Sequence, residues 1–141
     1  MTNVLLYVIS TDPAEQQKAK RANEILAERD LALSVQVLQE FYVQSTRPTR
    51  QDPISHQHAV RLIESFRRFP VQDVTDAIVM SALTTRQCFQ VSYWDAAIIE
   101  AARVLGCTEI ISEDLGDGQD CAGVRVSNPF RSSGHPVTVT T

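Results

Sequence analysis

The sequence predicts an α/β domain, a parallel sheet covered by helices. Two features of the chain predict it. Apolar stretches of four or five residues alternate with longer amphipathic ones. The amphipathic stretches carry recognisable start and stop signals for helices. The bulk composition agrees, since 141 residues make one domain and 43% hydrophobic content suffices for a core.

The chain opens on "MTNVLLYVIS", and residues 1–10 read as a short apolar helix with Thr2 as its N-cap. In such a fold an apolar strand normally comes first, and here only Met1 stands before Thr2. Thr11-Asp12-Pro13 starts the next helix, with Pro13 suited to the first position. From 14 to 29, Ala19, Ala22, Ile25 and Leu26 recur at helical spacing. "LALS" (31–34) is a strand, and in "VQVLQEFYVQSTR" Val37, Leu38 and Phe41 share a helical face. Pro48 and Pro53 bracket a loop.

"SHQHAVRLIESFRRF" reads as a further amphipathic helix, "PVQDVT" as a strand and "DAIVMSALTTRQC" as a helix with an acidic first turn. "SYWDAAIIEAARVLG" is the clearest helix, capped by Ser92 and stopped by Gly106. "TEIIS" and "GVRVSN" read as the last strands, and the chain from Pro129 onward as an exposed tail.

The formal net charge is −4, so the overall field does not attract nucleic acid; a polyanion would need a local basic patch or bound cations. Cys88, Cys107 and Cys121 are odd in number and form no CxxC pair, which points to a reducing compartment. No apolar run approaches a membrane span, and no signal-peptide pattern opens the chain. The expectation is a cytoplasmic protein. P-loop, GxGxxG and GxSxG motifs are absent. His56 and His58 fall on different helix faces, which disfavours joint metal ligation, and Arg67 and Arg68 read as a solvated face, with a basic patch for RNA as the alternative.

Sites in open α/β sheets lie beyond the carboxyl ends of the strands. Three distant segments deliver carboxylates there: Glu40 after "ALS", Asp95 early in the Ser92 helix, and Glu113 and Asp114 after "EIIS". Gathered carboxylates repel each other, and a divalent cation relieves that repulsion. Oxygen-only donors suit Mg²⁺ or Mn²⁺, and such ions support phosphodiester hydrolysis. Each residue also has a plainer reading. Ser92-Tyr93-Trp94-Asp95 matches a capping box, Glu40 fits a solvated helix face, and Asp114-Leu115-Gly116-Asp117-Gly118 has turn chemistry.

"TNVLLY", "VLQEFY", "SYWDAAIIEAA" and "SEDLGDG", followed by "NPF", stand in the order and approximate spacing of PIN-domain ribonucleases. More closely, the chain resembles VapC-type toxins of toxin–antitoxin pairs, from Thr2 to about Phe130. The resemblance implies a three-layer fold with a parallel sheet flanked by helices, over residues 1–130, and a flexible tail over 131–141. It implies a Mg²⁺- or Mn²⁺-dependent endoribonuclease, a cognate antitoxin and a homodimer.

By that resemblance Glu40, Asp95 and Asp114 are catalytic metal ligands, Asp117 is an accessory carboxylate or a turn residue, and Thr2 and Asn3 are supporting residues. The family pattern is an apolar strand ending in Asp-Thr-Asn. Here Met1 stands at the aspartate's place, and the first central strand is missing from the chain. The rival reading is an inactive relative that binds RNA or antitoxin without cleaving.

Overall fold

The computed structural model describes residues 2–28 and 30–131. It begins with α1 (Thr2–Val8), whose Val4 and Leu5 are wholly buried. Asp12 then caps a short 3-10 turn (Pro13–Glu15) by accepting from the Ala14 N–H, with proline at the first position as expected. The chain continues directly into α2 (Gln16–Leu26), which buries Ala22, Ile25 and Leu26. β1 (Leu33–Ser34) is short because Ser34 does two jobs. It ends the strand and caps α3 (Val35–Thr46), its hydroxyl accepting from the Val37 N–H.

Ser55 caps α4 (His56–Phe66) in the same way, and Thr75 caps α5 (Asp76–Phe89), with β2 (Val71–Gln72) between them. α5 ends on Gln90 in the left-handed region at φ 55°. Ser92 caps α6 (Tyr93–Val104), and β3 (Glu109–Ile111), β4 (Asp120–Cys121) and β5 (Val124–Ser127) close the described chain.

The strands form two separate groups. β1 pairs in parallel with β2, and β3 in parallel with β5. α6 packs across β1, β2, β3 and β5, so one helix spans both groups. Between β1 and β3 runs an apolar groove lined by Leu31, Leu33, Val37, Ile98, Ala101 and Ile110. Each of the two flanking strands is paired on one side only among the described residues. The strands of the described residues therefore fall into two groups with this groove between them. The larger core joins α1, α2, β1, α3 and α4 around Leu5, Ile25, Phe41 and Phe66, the two phenylalanines meeting edge to face at 5.1 Å.

Three expectations are corrected. The hydroxyl of Thr2 does not cap α1; it donates to Glu40, because α1 starts against α3. β4 was not expected: it folds back antiparallel on β5 through Ala122-Gly123, both at positive φ (52° and 94°), the twist a two-residue hairpin needs. The exposed tail does not begin at Pro129. Pro129 is buried, its carbonyl accepts from Arg21 Nε, and the half-buried Phe130 ring meets Tyr7 edge-on at 5.0 Å. The rest of the expected tail, 132–141, lies outside the described residues, as does Met1.

Candidate functional site

The amino end of α1 meets the middle of α3 and the loop after β3. Thr2 Oγ1 donates to Glu40 Oε2 at 2.5 Å, and Asn3 Nδ2 donates to Asp114 Oδ2 at 2.5 Å. These two bonds span 38 and 111 residues of sequence and bring α1, α3 and the loop after β3 to one rim. The second oxygen of Glu40 is held by Gln36 Nε2 at 2.9 Å, one helical turn away on α3. The same amide donates to the Trp94 carbonyl at 3.1 Å, which ties Glu40 to the first turn of α6, where Asp95 stands. Gln36 is buried, so its two bonds meet the hydrogen-bonding need of an otherwise costly side chain.

Local capping leaves the two aspartates available. In α6 the Ser92 hydroxyl accepts from the Asp95 N–H, as half of a capping box. The reciprocal bond is not made, and the Asp95 carboxylate has no hydrogen-bond partner among the described residues. In the loop after β3, Ser112 Oγ accepts from the N–H groups of Asp114 and Leu115. The turn is thus stabilised by the serine, and the Asp114 carboxylate points instead at Asn3. Asp117 is placed differently. Its oxygens accept from the Asn128 N–H at 2.9 Å and from Arg131 at 2.7 Å, and these bonds hold its carboxyl below the usual range. It latches the segment after β5.

Next to Asp114, Glu113 accepts from the Tyr7 hydroxyl and the Lys18 ammonium. Burial pushes the Glu113 carboxyl up, but the bonds from Lys18 and Tyr7 outweigh it and hold it below its ordinary value. The bond to Glu113 raises Lys18, and burial together with Glu113 raises Tyr7. Lys18 also lies over the Tyr7 ring at 5.1 Å. None of these pairings has a local signature in sequence, whereas Gln36 and Glu40, at i and i+4, do.

A polar cleft of about 500 Å³ opens beside this rim, lined by Asn3, Tyr7, Glu15, Arg50, Glu113 and Asp114 among others. Among the described residues, no three His, Cys, Asp or Glu side chains come together closely enough to hold a metal ion. The donor chemistry of Glu40, Asp95 and Asp114 suits a hard divalent cation, but their present spacing falls short of a closed cage. His56 is exposed and pairs with the Tyr42 hydroxyl at 2.9 Å, away from any such cluster. No helix among the described residues is long and apolar enough to cross a membrane.

No curated protein matches the chain significantly in sequence. In fold it is similar to a chain of a toxin–antitoxin complex from Klebsiella pneumoniae, with a TM-score of 0.65 and 20% identity, covering 92% of this chain and 94% of that one. The family model described as the PIN domain matches residues 2–116, most of the molecule, and the chain belongs to that family.

Proposed function

We propose that this protein is a metal-dependent endoribonuclease acting as the toxin of a toxin–antitoxin pair, with Glu40, Asp95 and Asp114 as its catalytic carboxylates. The reading rests on membership of the PIN family and on one geometric observation: α1 ties Glu40 and Asp114 to a single rim through Thr2 and Asn3. The toxin role is supported by the fold likeness to a chain of a toxin–antitoxin complex. A cytoplasmic location and a homodimer are part of the same reading. Exposed Val74, Met80, Leu83 and Trp94 leave apolar surface on and around α5 and α6 for a second copy.

Glu40, Asp95 and Asp114 are the residues that would hold Mg²⁺ or Mn²⁺. A cation there supplies Lewis acidity and positive charge toward a phosphodiester. Gln36 and Thr2 fix the Glu40 carboxylate from both sides, and Asn3 fixes Asp114, so these acids are oriented before any substrate arrives. A single-stranded or looped RNA suits an open cleft, since its backbone is free to approach. The antitoxin would cover the same rim, where an arginine could pair with the carboxylates.

The test is cleavage of a single-stranded RNA with Mn²⁺ by this chain, beside the same chain carrying an apolar strand ending in Asp before Thr2. Cutting by the extended chain, lost on Asp95→Asn, is the expected result. Failure of both folded proteins to cut a panel of RNAs would favour the second reading, an inactive relative that binds RNA or antitoxin. One observation favours that alternative: three carboxylates do not come together among the described residues.

A further inference from the structure

The cleft beside the rim holds an imbalance of partners. Each carboxylate lining it already has a donor. Asp12 accepts from the Ala14 N–H, Glu15 from the Ser10 hydroxyl, Glu113 from Lys18 and Tyr7, and Asp114 from Asn3. Arg50 is the cation on that lining, and its guanidinium has no acceptor among the described residues. Its Nε is buried and unpaired. A buried donor without a partner costs free energy, and a charged one more, so an acceptor brought against this guanidinium would relieve that cost, and an anion most of all.

The loop that carries Arg50 is held in place. The Arg50 N–H donates to the Arg47 carbonyl at 3.1 Å, and the Ile54 N–H to the Ser45 carbonyl at 3.0 Å. Asp52 sits in the left-handed region at φ 55° and accepts from the Thr11 hydroxyl, pinning the loop to the chain between α1 and the 3-10 turn. A guanidinium presents a planar fork of donors that matches two oxygens of a phosphate.

We propose that Arg50 is a phosphate-binding residue that grips a phosphodiester of the substrate backbone in this cleft, beside Asp114. This rests on the nuclease reading for its substrate, but the anion site itself is carried by the unpaired guanidinium. Of the cleft's acids Glu113 is charge-paired by Lys18, while Asp12, Glu15 and Asp114 meet neutral donors, so Arg50 is the cation on the lining that can face a backbone phosphate.

Two measurements test it. The first is binding of a non-cleavable 2′-O-methyl oligonucleotide of mixed sequence, by fluorescence anisotropy with Mg²⁺ across a salt series. Arg50→Ala should weaken binding about tenfold. It should also reduce the slope of log affinity against log salt by about 0.7, the share of one phosphate contact on a single strand. Arg50→Lys should recover part of the affinity, because it keeps charge and loses the fork. Arg47→Ala, an exposed neighbour outside the cleft, should match the unaltered protein.

The second measurement is the Arg50 Nε–H resonance of the unaltered protein during titration with inorganic phosphate, which should shift saturably. It needs no variant and decides the matter if Arg50→Ala fails to fold. Equal affinity and slope for Arg50→Ala and the unaltered protein, or a resonance that phosphate leaves unmoved, would overturn the proposal. A phosphate-induced shift without oligonucleotide binding would keep the anion site and overturn its assignment to the substrate backbone, while the nuclease reading stands or falls on the cleavage test.

Discussion

Thr2 and Glu40 meet across the rim, a hydroxyl of α1 donating at 2.5 Å to a carboxylate of α3. Thr2 is buried, so this bond anchors the start of the chain as well as orienting the acid. Thr2→Val keeps the shape and removes the donor. It should cost about 1 kcal/mol, or about 4 °C in thermal midpoint. Urea unfolding reads the loss directly, and an unchanged midpoint would show that the bond does not contribute.

Capping and ligation by the Ser92–Asp95 pair can be separated by two substitutions. Ser92→Ala removes the cap and should cost about 1 kcal/mol. Asp95→Asn leaves the cap in place, because the cap bond uses the Asp95 N–H, and should abolish RNA cleavage with little change in stability. Cleavage that survives Asp95→Asn removes Asp95 from the catalytic set. Unfolding would mean that its carboxylate is structural.

The Lys18–Glu113 pair makes stability depend on pH at both ends of the range. Glu113 is held below its ordinary value, so its contribution is present above the unfolded carboxyl value near about 4.3 and is lost as pH falls through the lower folded value. Lys18 is raised, so its contribution is present below about 10.4 and is lost as pH rises through the higher folded value. Lys18 is more than a third exposed, and solvent screening limits the pair to about 0.5 kcal/mol. Urea midpoints followed from neutral to acid pH should fall in the unaltered protein, and Glu113→Gln should remove that part of the fall. Parallel curves would discount the pair.

Glu100 on α6 is buried, accepts from the Thr85 hydroxyl of α5 and pairs with Arg103 at 3.0 Å. Arg103 in turn donates to the carbonyls of Cys121 and Ala122, so one carboxylate steadies two helices and the β4–β5 hairpin. Glu100→Ala takes the carboxylate from Arg103, which keeps its two carbonyls, and the acceptor from Thr85, and should cost about 3 kcal/mol. Double-mutant cycles with Arg103→Ala would measure the coupling. An additive cycle would show that the network is not cooperative.

Among the described residues, the groove between β1 and β3 leaves a strand edge unpaired on each side. Buried apolar side chains there are worth about 1.5–3 kcal/mol each, against a total of about 5–15 for a domain. A chain extended before Thr2 by an apolar strand should therefore melt higher and aggregate less than this one. Thermal unfolding of the two side by side is the check, and equal midpoints would mean that the groove does not accept the strand.

Most of the fold was legible because its signals are local. Ser92 caps α6 as its place before "YWDAA" says, and the apolar spacing of α2 and α3 names Ala22, Ile25, Leu26, Val37 and Phe41 as buried. β4 was not legible, since its turn places Ala122, a residue with no preference for positive φ, in the left-handed region. At the rim, Glu40 and Asp114 could be nominated by their place after strands, and Asp95 by its place in the first turn of a capped helix. Their orienting partners could be read only where the spacing is helical, as with Gln36. The bond between Lys18 and Glu113 spans 95 residues, and Arg50 stands in a loop without pattern. Such pairings are products of packing, and one sequence holds no trace of them.

The latch of Phe130 on Tyr7, with Arg21 holding the Pro129 carbonyl, has a topological consequence. The last described segment lies against the first helix, so the chain near residue 130 returns beside residue 7. Joining residue 131 to Thr2 through a linker and opening new termini at the exposed Asp73–Val74 loop should therefore leave the Phe130–Tyr7 contact in place. In that molecule α1 no longer leads the chain, and the rim at Thr2 and Asn3 becomes an internal junction where new segments can be inserted and compared.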